Sequence, residues 1–392
     1  MAGGESVYLD YAATTPVDPA VAEAMSGYMT AEGSYANPSS VHAAGRRAAA
    51  AVETARGQLA RLLNVDPREL IWTSGATESV NLGLIGAARN RSHRGRHLIT
   101  MPTEHKAVAD TFKALEREGF AVTYVMPDGD GLLSFDEFEA AIQDDTQLVS
   151  VMHVNNETGV IQDIERIGDR CRQMDILFHV DAAQSVGKLP IDLSALPVDL
   201  LSLTAHKFYG PKGVGALYVA DRPGCHPEPI THGGGQERGI RPGTLPVHQI
   251  VGIGAAASLA ESRLAGDLAH LRELRERLWS GIAPIPGILR NGSETESFPG
   301  ILNVSMAGIE GESLMLALEP LCVASGSACN SRSRDASYVL RALGRDDALA
   351  QSAIRFSLGR MTTNDEIDFA VDRYTDAISH LREISPAQTR TA

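Results

Sequence analysis

The sequence Val198-Asp-Leu-Leu-Ser-Leu-Thr-Ala-His-Lys207 begins as a mostly apolar run and ends in a lysine. Residues 198–203 predict a buried strand, because a mostly apolar run with no polar face is typical of a strand that is covered on both sides. The stretch Gly210-Pro-Lys-Gly213 follows and lets the chain turn. The pattern therefore predicts a lysine held at the carboxyl end of a buried strand.

Short apolar runs of the same kind recur between about residues 68 and 220 and alternate with amphipathic helical patterns. Ile164, Ile167, Cys171 and Met174, for example, share one helical face. This alternation predicts an α/β fold whose mostly parallel sheet is covered on both faces. The predicted strands of this sheet are residues 70–73, 97–100, 121–125, 148–154, 176–180 and 198–203.

The second part of the chain has a different organisation. A helical region over about residues 246–282 leads into a smaller α+β unit with predicted strands at 301–305, 321–324 and 353–357. Its last helix opens with Thr363-Asn-Asp-Glu366, which predicts a capping box. Because 392 residues exceed what one core usually spans, we expect a large domain, 16–262, and a small domain formed by 1–15 and 263–392.

Composition excludes several classes of protein. The net charge of -14 argues against direct binding of nucleic acid, which needs a basic face. The amino terminus lacks the pattern of a signal peptide, and no apolar run reaches the ~18 residues of a membrane span. Four cysteines without close metal-ligand spacing predict free thiols and no metal site. We therefore expect a cytoplasmic protein that has no contact with a membrane.

The strand predicted over 176–180 ends in Asp181-Ala-Ala-Gln184, next to the strand that ends near Lys207. A lysine and an acid at neighbouring strand ends are what pyridoxal 5'-phosphate requires. The lysine forms a Schiff base, and the acid keeps the pyridine nitrogen protonated so that the ring accepts electrons. Taken singly, Lys207 also fits a solvated loop and Asp181 a turn.

Three other predicted strand ends carry polar groups that suit the same ligand. Ser74-Gly-Ala-Thr-Glu78 feeds a helix amino terminus, which offers amides to a phosphate. His105 can stack on a planar ring, and Asn156 can bond a ring oxygen or a carboxylate. Each motif alone is equally compatible with a helix cap, a structural histidine or a turn. Together they favour one phosphorylated aromatic aldehyde.

The small domain adds two candidates. Cys329 lies in Ala324-Ser-Gly-Ser-Ala-Cys-Asn-Ser-Arg-Ser333, whose small polar residues predict a mobile loop over about 325–337. A free thiol is a strong nucleophile even when little of it is ionised, although an inert exposed thiol is the alternative. Arg355 lies in a predicted apolar strand, and its planar fork suits a carboxylate, either of a substrate or of a structural ion pair.

With these residues assembled, the chain resembles the cysteine desulfurases, which are pyridoxal phosphate enzymes of fold type I, and most closely the housekeeping iron–sulfur type. The resemblance covers nearly the whole chain and implies an aspartate-aminotransferase-like fold. The stretches that carry it are Tyr8-Leu-Asp-Tyr-Ala-Ala-Thr-Thr-Pro16, Ser74-Gly-Ala-Thr-Glu78, Thr103-Glu-His-Lys106, His153-Val-Asn-Asn-Glu157, His179-Val-Asp-Ala-Ala-Gln184, His206-Lys207, Arg241-Pro-Gly-Thr-Leu245, Ser325-Gly-Ser-Ala-Cys329 and Arg355-Phe-Ser-Leu-Gly359.

The resemblance implies a role for each candidate residue. Lys207, His105 and Cys329 would be catalytic, and Cys329 would carry sulfur from L-cysteine as a persulfide. Thr244 would reach the phosphate of the neighbouring subunit of a homodimer. Asn37, Asn156 and Arg355 would bind the substrate carboxylate. The cofactor would be bound by Ala76, Thr77, His105, Asn156, Asp181, Gln184, Thr204, His206, Lys207 and Thr244.

The residues leave other functions open. A selenocysteine lyase or another pyridoxal phosphate aminotransferase would share the lysine and the acid, and a non-catalytic sulfur-relay partner would share only the fold. Asn330 replaces the small hydroxyl residue that is common after the cysteine. The short tail after Pro386 leaves the sulfur-acceptor protein undecided among an iron–sulfur scaffold, a tRNA thiolation relay and DNA phosphorothioation machinery.

Overall fold

The structure is a computed structural model that describes residues 6–325 and 336–384. The strands are β1 (Val7–Tyr8), β2 (Leu70–Thr73), β3 (His97–Thr100), β4 (Ala121–Tyr124), β5 (Thr146–Met152), β6 (Leu177–Asp181), β7 (Leu200–Thr204), β8 (Gly215–Val219), β9 (Ile288–Asn291), β10 (Ile301–Met306), β11 (Leu321–Cys322), β12 (Ala324–Ser325) and β13 (Ile354–Ser357). The helices are α1 (Pro19–Ser26), α2 (Ala43–Leu63), α3 (Ala76–Asn90), α4 (Lys106–Arg117), α5 (Phe135–Ala141), α6 (Ile164–Gln173), α7 (Val247–Ile282), α8 (Gly311–Ala317), α9 (Tyr338–Ala342), α10 (Asp347–Gln351) and α11 (Asn364–Ile384).

Seven of the described strands form the main sheet, in the order β2-β8-β7-β6-β5-β3-β4. The pairs from β7 to β4 are parallel, and β8 runs antiparallel to both of its neighbours. A mixed α/β fold with a mostly parallel sheet is thus confirmed. The sequence prediction lacks β8, since a short buried apolar run after a glycine-rich turn has no periodicity that marks it as a strand.

Four of the described strands form a second, antiparallel sheet, in the order β12-β13-β10-β9. Strand β1 pairs in parallel with β11, so the amino-terminal segment packs against carboxyl-terminal elements. Thr363 and Glu366 form the predicted capping box: the Thr363 amide donates to the Glu366 carboxylate at 2.8 Å, and the Glu366 amide donates to Thr363 Oγ1 at 3.3 Å. This prediction is confirmed.

Buried apolar residues form two large clusters. One lies between Val21 and Ala260 and fills the space around the main sheet. The other joins Val7 and Leu9 to residues between Leu268 and Leu381. Helix α7 contributes its first half to one cluster and its second half to the other, so it connects the two cores.

Two further properties concern the described residues only. None of their helices is both long and apolar enough to cross a membrane. The described cysteines Cys171, Cys225 and Cys322 are free thiols, as the sequence predicts.

Glycine at residue 215 lets β8 pack closely against β2 and β7 at the end of the sheet where the candidate residues lie. Gly215 pairs with both Thr73 of β2 and Thr204 of β7. A Cβ atom at Gly215 would lie 2.3 Å from the Leu203 carbonyl oxygen and 2.7 Å from the Gly75 Cα. Both obstacles are backbone atoms, so a side chain at residue 215 would displace the turn that leads into α3.

We expect Gly215→Ala to lower the free energy of unfolding by about 1–3 kcal/mol, the usual cost of overpacking. Gly57→Ala is the matched control, because Gly57 lies within α2 and its Cβ would meet nothing within 4 Å. That change should stabilise the chain by roughly 0.5–1 kcal/mol. Denaturant unfolding of both variants measures the difference. Equal stability of Gly215→Ala and the unchanged protein would contradict the packing argument.

Candidate active site

A cavity of about 500 Å³ opens at the carboxyl ends of the parallel strands. Ligand sites in open α/β sheets occur at this edge. The structure brings most of the sequence-predicted site residues together here, from β2, β3, β5, β6, β7 and β13 and the turns that follow them. Those that line the cavity are Ala76, Thr77, His105, Asn156, Asp181, Gln184, Thr204, His206, Lys207 and Arg355.

Asp181 and Lys207 lie at the ends of neighbouring parallel strands. Asp181 is the last residue of β6 and is paired with Ser202 of β7, and Lys207 ends the single helical turn that follows β7. Burial raises the pKa of Asp181, opposed by the charges of His105 and Lys207 and by the Ala183 amide, which donates to Oδ1 at 3.0 Å. A buried carboxyl group of this kind calls for a cationic or N–H partner in the cavity.

The amine of Lys207 is held by the amino-terminal segment. Its Nζ atom donates to the carbonyl oxygens of Ala12 at 2.5 Å and of Ala13 at 2.9 Å. Ala12 also accepts a hydrogen bond from Gln184 Nε2 at 2.8 Å. The segment therefore forms one wall of the cavity and sets the direction of the lysine.

His105 is the amino-terminal cap of α4. Its Nδ1 atom accepts a hydrogen bond from the Ala107 amide at 3.1 Å, so Nδ1 carries no proton and the ring is held in one orientation. The preceding residue, Glu104, is fully buried and accepts from the Met152 amide at 2.6 Å. Burial raises the pKa of Glu104 well above its ordinary value. The hydrogen bond from Met152 to Glu104 ties the His105 turn to β5.

The turn before α3 provides a site for an anion. Gly75 precedes the helix with φ of 152°, and no side chain caps the first amides of α3. Glu78 also lines the cavity, but its carboxylate already has partners: it accepts from the Ser74 amide at 2.5 Å and pairs with Arg241 at 2.7 Å. Amides at a helix start together with the hydroxyl of Thr77 match the needs of a phosphate.

His206 lies near the same end of the cavity. Burial, and then the charges of Lys207, Lys212 and Lys188, lower the pKa of His206 to about 4. It is therefore neutral at pH 7, and its Nδ1 atom lies 3.1 Å from the Thr14 hydroxyl. Lys212 also lines the cavity, so this end combines an imidazole, a lysine and helix amides.

Arg355 is buried on β13 and has partners on two sides. Its Nη1 atom donates to the Asn156 carbonyl oxygen at 2.7 Å, and Nη2 pairs with Asp10 Oδ1 at 2.7 Å. Two buried polar atoms of these residues have no hydrogen-bond partner among the described residues, namely Arg355 Nε and Asn156 Oδ1. The unpaired donor, Arg355 Nε, favours a ligand with a carboxylate, and the unpaired acceptor, Asn156 Oδ1, favours a ligand group that donates a hydrogen bond.

Cys329 lies outside the described residues, but the chain on both sides of segment 326–335 is tied to this cavity. Ala324 of β12 pairs with Arg355 of β13. On the other side, the Ser337 hydroxyl donates to Glu157 Oε2 at 2.5 Å and Tyr338 donates to the Glu104 carbonyl oxygen at 2.7 Å. The described residues that flank the segment with Cys329 are therefore held beside the candidate residues.

Two predicted residues do not line the cavity. Asn37 is exposed, and its side-chain oxygen accepts from the Ser39 amide at 2.9 Å. Thr244 is also exposed, in the segment that Arg241 ties to Glu78. Among the described residues, no three His, Cys, Asp or Glu side chains converge as metal ligands.

Sequence reasoning missed several residues that shape the site. Asp10 pairs with Arg355, Glu104 and Glu157 anchor the surrounding turns, and Lys188 donates to Gln184 Oε1 at 2.9 Å. Asp10, Glu104 and Glu157 lie within the stretches that carry the family resemblance, and Lys188 lies four residues after Gln184. Nothing in the local sequence shows that a Glu or Lys in a polar turn becomes buried.

The cavity fits pyridoxal phosphate. It offers the amino terminus of α3 for a phosphate, a buried acid beside a lysine for the ring, and the unpaired buried donor Arg355 Nε for a carboxylate. Together with the mostly parallel sheet, these features define a pyridoxal phosphate enzyme of the aspartate-aminotransferase fold.

Comparison with known proteins gives the family. Residues 7–369 match the family model described as aminotransferase class-V. The chain is 56% identical over 381 residues to the cysteine desulfurase IscS of Klebsiella pneumoniae subsp. pneumoniae, covering 97% of this chain and 94% of that relative. It superposes on a solved NifS-like protein with a TM-score of 0.89 at 39% identity, covering 96% of this chain and all of the other.

A second solved structure, SspA in complex with cysteine, matches with a TM-score of 0.81 at 39% identity, covering 91% of this chain and all of that one. The chain belongs to the aminotransferase class-V family and, within it, to the cysteine desulfurases.

The raised pKa of the buried residue Glu157 predicts how the stability of the protein depends on pH. Burial raises the pKa of Glu157 to about 7, against the Ser337 hydrogen bond and the charges of Arg355 and His105. Between pH 4.5 and 7 the folded chain keeps a proton that the unfolded chain releases, so stability falls as pH rises, by at most about 3 kcal/mol. Glu157→Gln removes this loss and keeps an acceptor for Ser337.

We therefore expect the melting temperature of Glu157→Gln to rise relative to that of the unchanged protein from pH 5 to pH 8 and then to level off. Glu116→Gln is the control, because Glu116 is exposed on α4. Parallel melting curves for Glu157→Gln across this range would show that Glu157 is already ionised when buried.

Proposed function

We propose that the cavity residues and Cys329 together convert L-cysteine to L-alanine and keep the sulfur as a persulfide on Cys329. Family membership supports the reaction, and the roles of individual residues rest on the geometry of this chain. The observation that carries the proposal is that residues on both sides of segment 326–335 contact the site: Ala324 pairs with Arg355, and Ser337 donates to Glu157.

Pyridoxal phosphate would be held along the length of the cavity. Ala76, Thr77, Thr204 and His206 would bind its phosphate, and His105 would stack on the ring. Asp181 would bond the ring nitrogen and Gln184 the ring oxygen, with Asn156 beside them. When bound through Lys207, the cofactor supplies an electron sink for the electrons of the broken Cα–H bond of the substrate.

Lys207 would move the proton. As a neutral amine, Lys207 would accept the α-proton of cysteine at its Nζ atom. The carbonyls of Ala12 and Ala13 hold Nζ at the mouth of the helical turn and accept its N–H groups. These carbonyls position the amine between the substrate and the wall of the cavity.

Cys329 would take the sulfur. Its thiolate attacks the sulfur atom of the bound cysteine, a new S–S bond forms, and the Cβ–S bond of the substrate breaks with its electron pair left on carbon. Protonation of that carbon gives the methyl group of alanine, so the carbon is reduced and the sulfur is oxidised to the persulfide level. The terminal sulfur then passes to an acceptor thiol.

Arg355 and Asn156 would bind the substrate carboxylate, with assistance from Asn37. The unpaired Nε atom of Arg355 supports this role, because a guanidinium that already bonds Asp10 and the Asn156 carbonyl is fixed in place before the substrate arrives. Preorganisation of this kind reduces the entropy lost on binding.

We propose further that two copies form a homodimer in which Thr244 reaches the phosphate of the neighbouring site. Its exposure and the attachment of its segment to α3 through Arg241 support the arrangement. The two apolar clusters support the division into a large domain, 16–262, and a small domain, 1–15 with 263–392. We place the enzyme in the cytoplasm, with sulfur-acceptor proteins as partners and no direct contact with nucleic acid.

Cys329→Ser and Lys207→Ala should separate the two chemical roles. Cys329→Ser should bind pyridoxal phosphate and cysteine but form alanine at least about 100-fold more slowly, since it lacks the sulfur nucleophile. Lys207→Ala should lose covalent attachment of the cofactor. Borohydride reduction followed by peptide mass spectrometry measures attachment at Lys207, and amino acid analysis measures alanine.

Cys322→Ser is the matched control, because Cys322 is a partly exposed thiol seven residues earlier on β11. It should turn over cysteine normally. Normal alanine formation by Cys329→Ser would contradict the persulfide step, and absence of cofactor on the Lys207 peptide would contradict the whole proposal.

Arg355→Lys should raise the KM for cysteine about 10- to 100-fold with a smaller change in kcat, because a lysine keeps the charge but loses the planar fork. Arg277→Lys serves as the control, since Arg277 forms an exposed pair with Asp368 at 2.5 Å. Steady-state kinetics with cysteine measure both variants. An unchanged KM in Arg355→Lys would assign Arg355 to the structural ion pair with Asp10 alone.

A further inference from the structure

A second lysine lies behind the cavity. Lys188 donates from Nζ to Gln184 Oε1 at 2.9 Å, and its Nζ atom lies 5.7 Å from the centre of the Phe298 ring. The side chain of Lys188 is half-buried and lines a small second cavity. Its Nζ atom is enclosed by protein. Its contacts place it between a site residue and the small domain.

A continuous hydrogen-bonded path joins the two lysines. Lys188 donates to Gln184 Oε1, Gln184 Nε2 donates to the Ala12 carbonyl oxygen at 2.8 Å, and Lys207 donates to the same oxygen. The Ala12 carbonyl can only accept, so it requires the NH₂ group of Gln184 on its side and leaves Oε1 facing Lys188. The NH₂ group therefore lies against the amino-terminal segment, and Gln184 itself lines the main cavity.

Lys188 is a buried amine that lacks an ion-pair partner among the described residues. Among the described residues, no carboxylate lies within ion-pair distance of its amine. Burial, and then the charges of Lys207 and Arg355, lower the pKa of Lys188 well below its ordinary value. The other charged groups that face it are Asp267 and Arg360, which line the small cavity. In either protonation state Lys188 has N–H groups and donates to Gln184.

We propose that Lys188 is a positioning residue, which acts through Gln184 on the oxygen substituent of the cofactor ring. By donating to Oε1, Lys188 polarises the amide and holds its second N–H toward the ring oxygen. A stronger donor at that oxygen stabilises its anionic form. The inference rests on the proposed function, since it takes Gln184 as the residue that faces the ring oxygen.

The readout is the visible absorbance of the cofactor-loaded protein as a function of pH. Lys188→Met keeps the length of the side chain and removes the donor. We expect it to raise the pH midpoint of the visible band by roughly half a unit or more, because the anionic ring oxygen loses stabilisation. Lys113→Met is the matched control: Lys113 is exposed on α4, where it pairs with Asp110. Its midpoint should match that of the unchanged protein.

A mutant cycle tests the route. In a Gln184→Ala background, Lys188→Met should produce no further shift of the midpoint, because the residue that transmits its effect is gone. An equal shift in both backgrounds, or no shift in either, overturns the proposal. Borohydride labelling of Lys207 in every variant separates this failure from that of the proposed function, which predicts labelling whatever residue 188 is.

Lys188→Gln is the second variant, because a shorter amide donor should move the midpoint less than Lys188→Met does. Melting temperatures of all variants show whether they fold. Loss of the folding transition in both Lys188→Met and Lys188→Gln would make Lys188 a structural residue and would also overturn the proposal.

Discussion

The parallel pairing of β6 with β7 is the constraint on which the site depends. It aligns Asp181 with Ser202 and brings the turn that carries Lys207 to the same edge of the sheet. Parallel strands end on one side, so an acid and an amine that are distant in sequence share one cavity. The neighbouring strands add His105 and Asn156 at that edge by the same geometry. Arg355, from strand β13 of the second sheet, also lines the cavity.

The site concentrates buried ionisable groups, and their environment explains their chemistry. Burial raises the pKa values of Asp181, Glu104 and Glu157 and lowers that of Lys188. Such groups destabilise a folded chain unless a partner compensates them. Glu104 and Glu157 have partners within the protein, in the Met152 amide and the Ser337 hydroxyl. Asp181 instead faces the cavity, where the ring nitrogen of a bound cofactor would be its partner.

The amino-terminal segment connects the two cores and the site. Asp10 pairs with Arg355, and Ala12 accepts from both Lys207 and Gln184. The Ala12 amide also donates to Ser357 Oγ at 2.9 Å on β13. A short stretch of chain thus connects Arg355 to Lys207. Because backbone carbonyls of this segment hold the Lys207 amine, the position of the amine depends on the backbone as well as on the neighbouring side chains.

The sequence alone determined the alternation of strands and helices, the lysine and the acid that follow buried strands, and the capping box at Thr363, since each depends on local periodicity or on residues close in sequence. It did not determine the antiparallel β8, whose place between β2 and β7 arises from long-range pairing. Only the tertiary structure decided that Asp10 meets Arg355 and that Lys188 meets Gln184 inside the protein. A charged residue in a polar turn is usually exposed, and its burial here follows from how segments that are distant in sequence pack together.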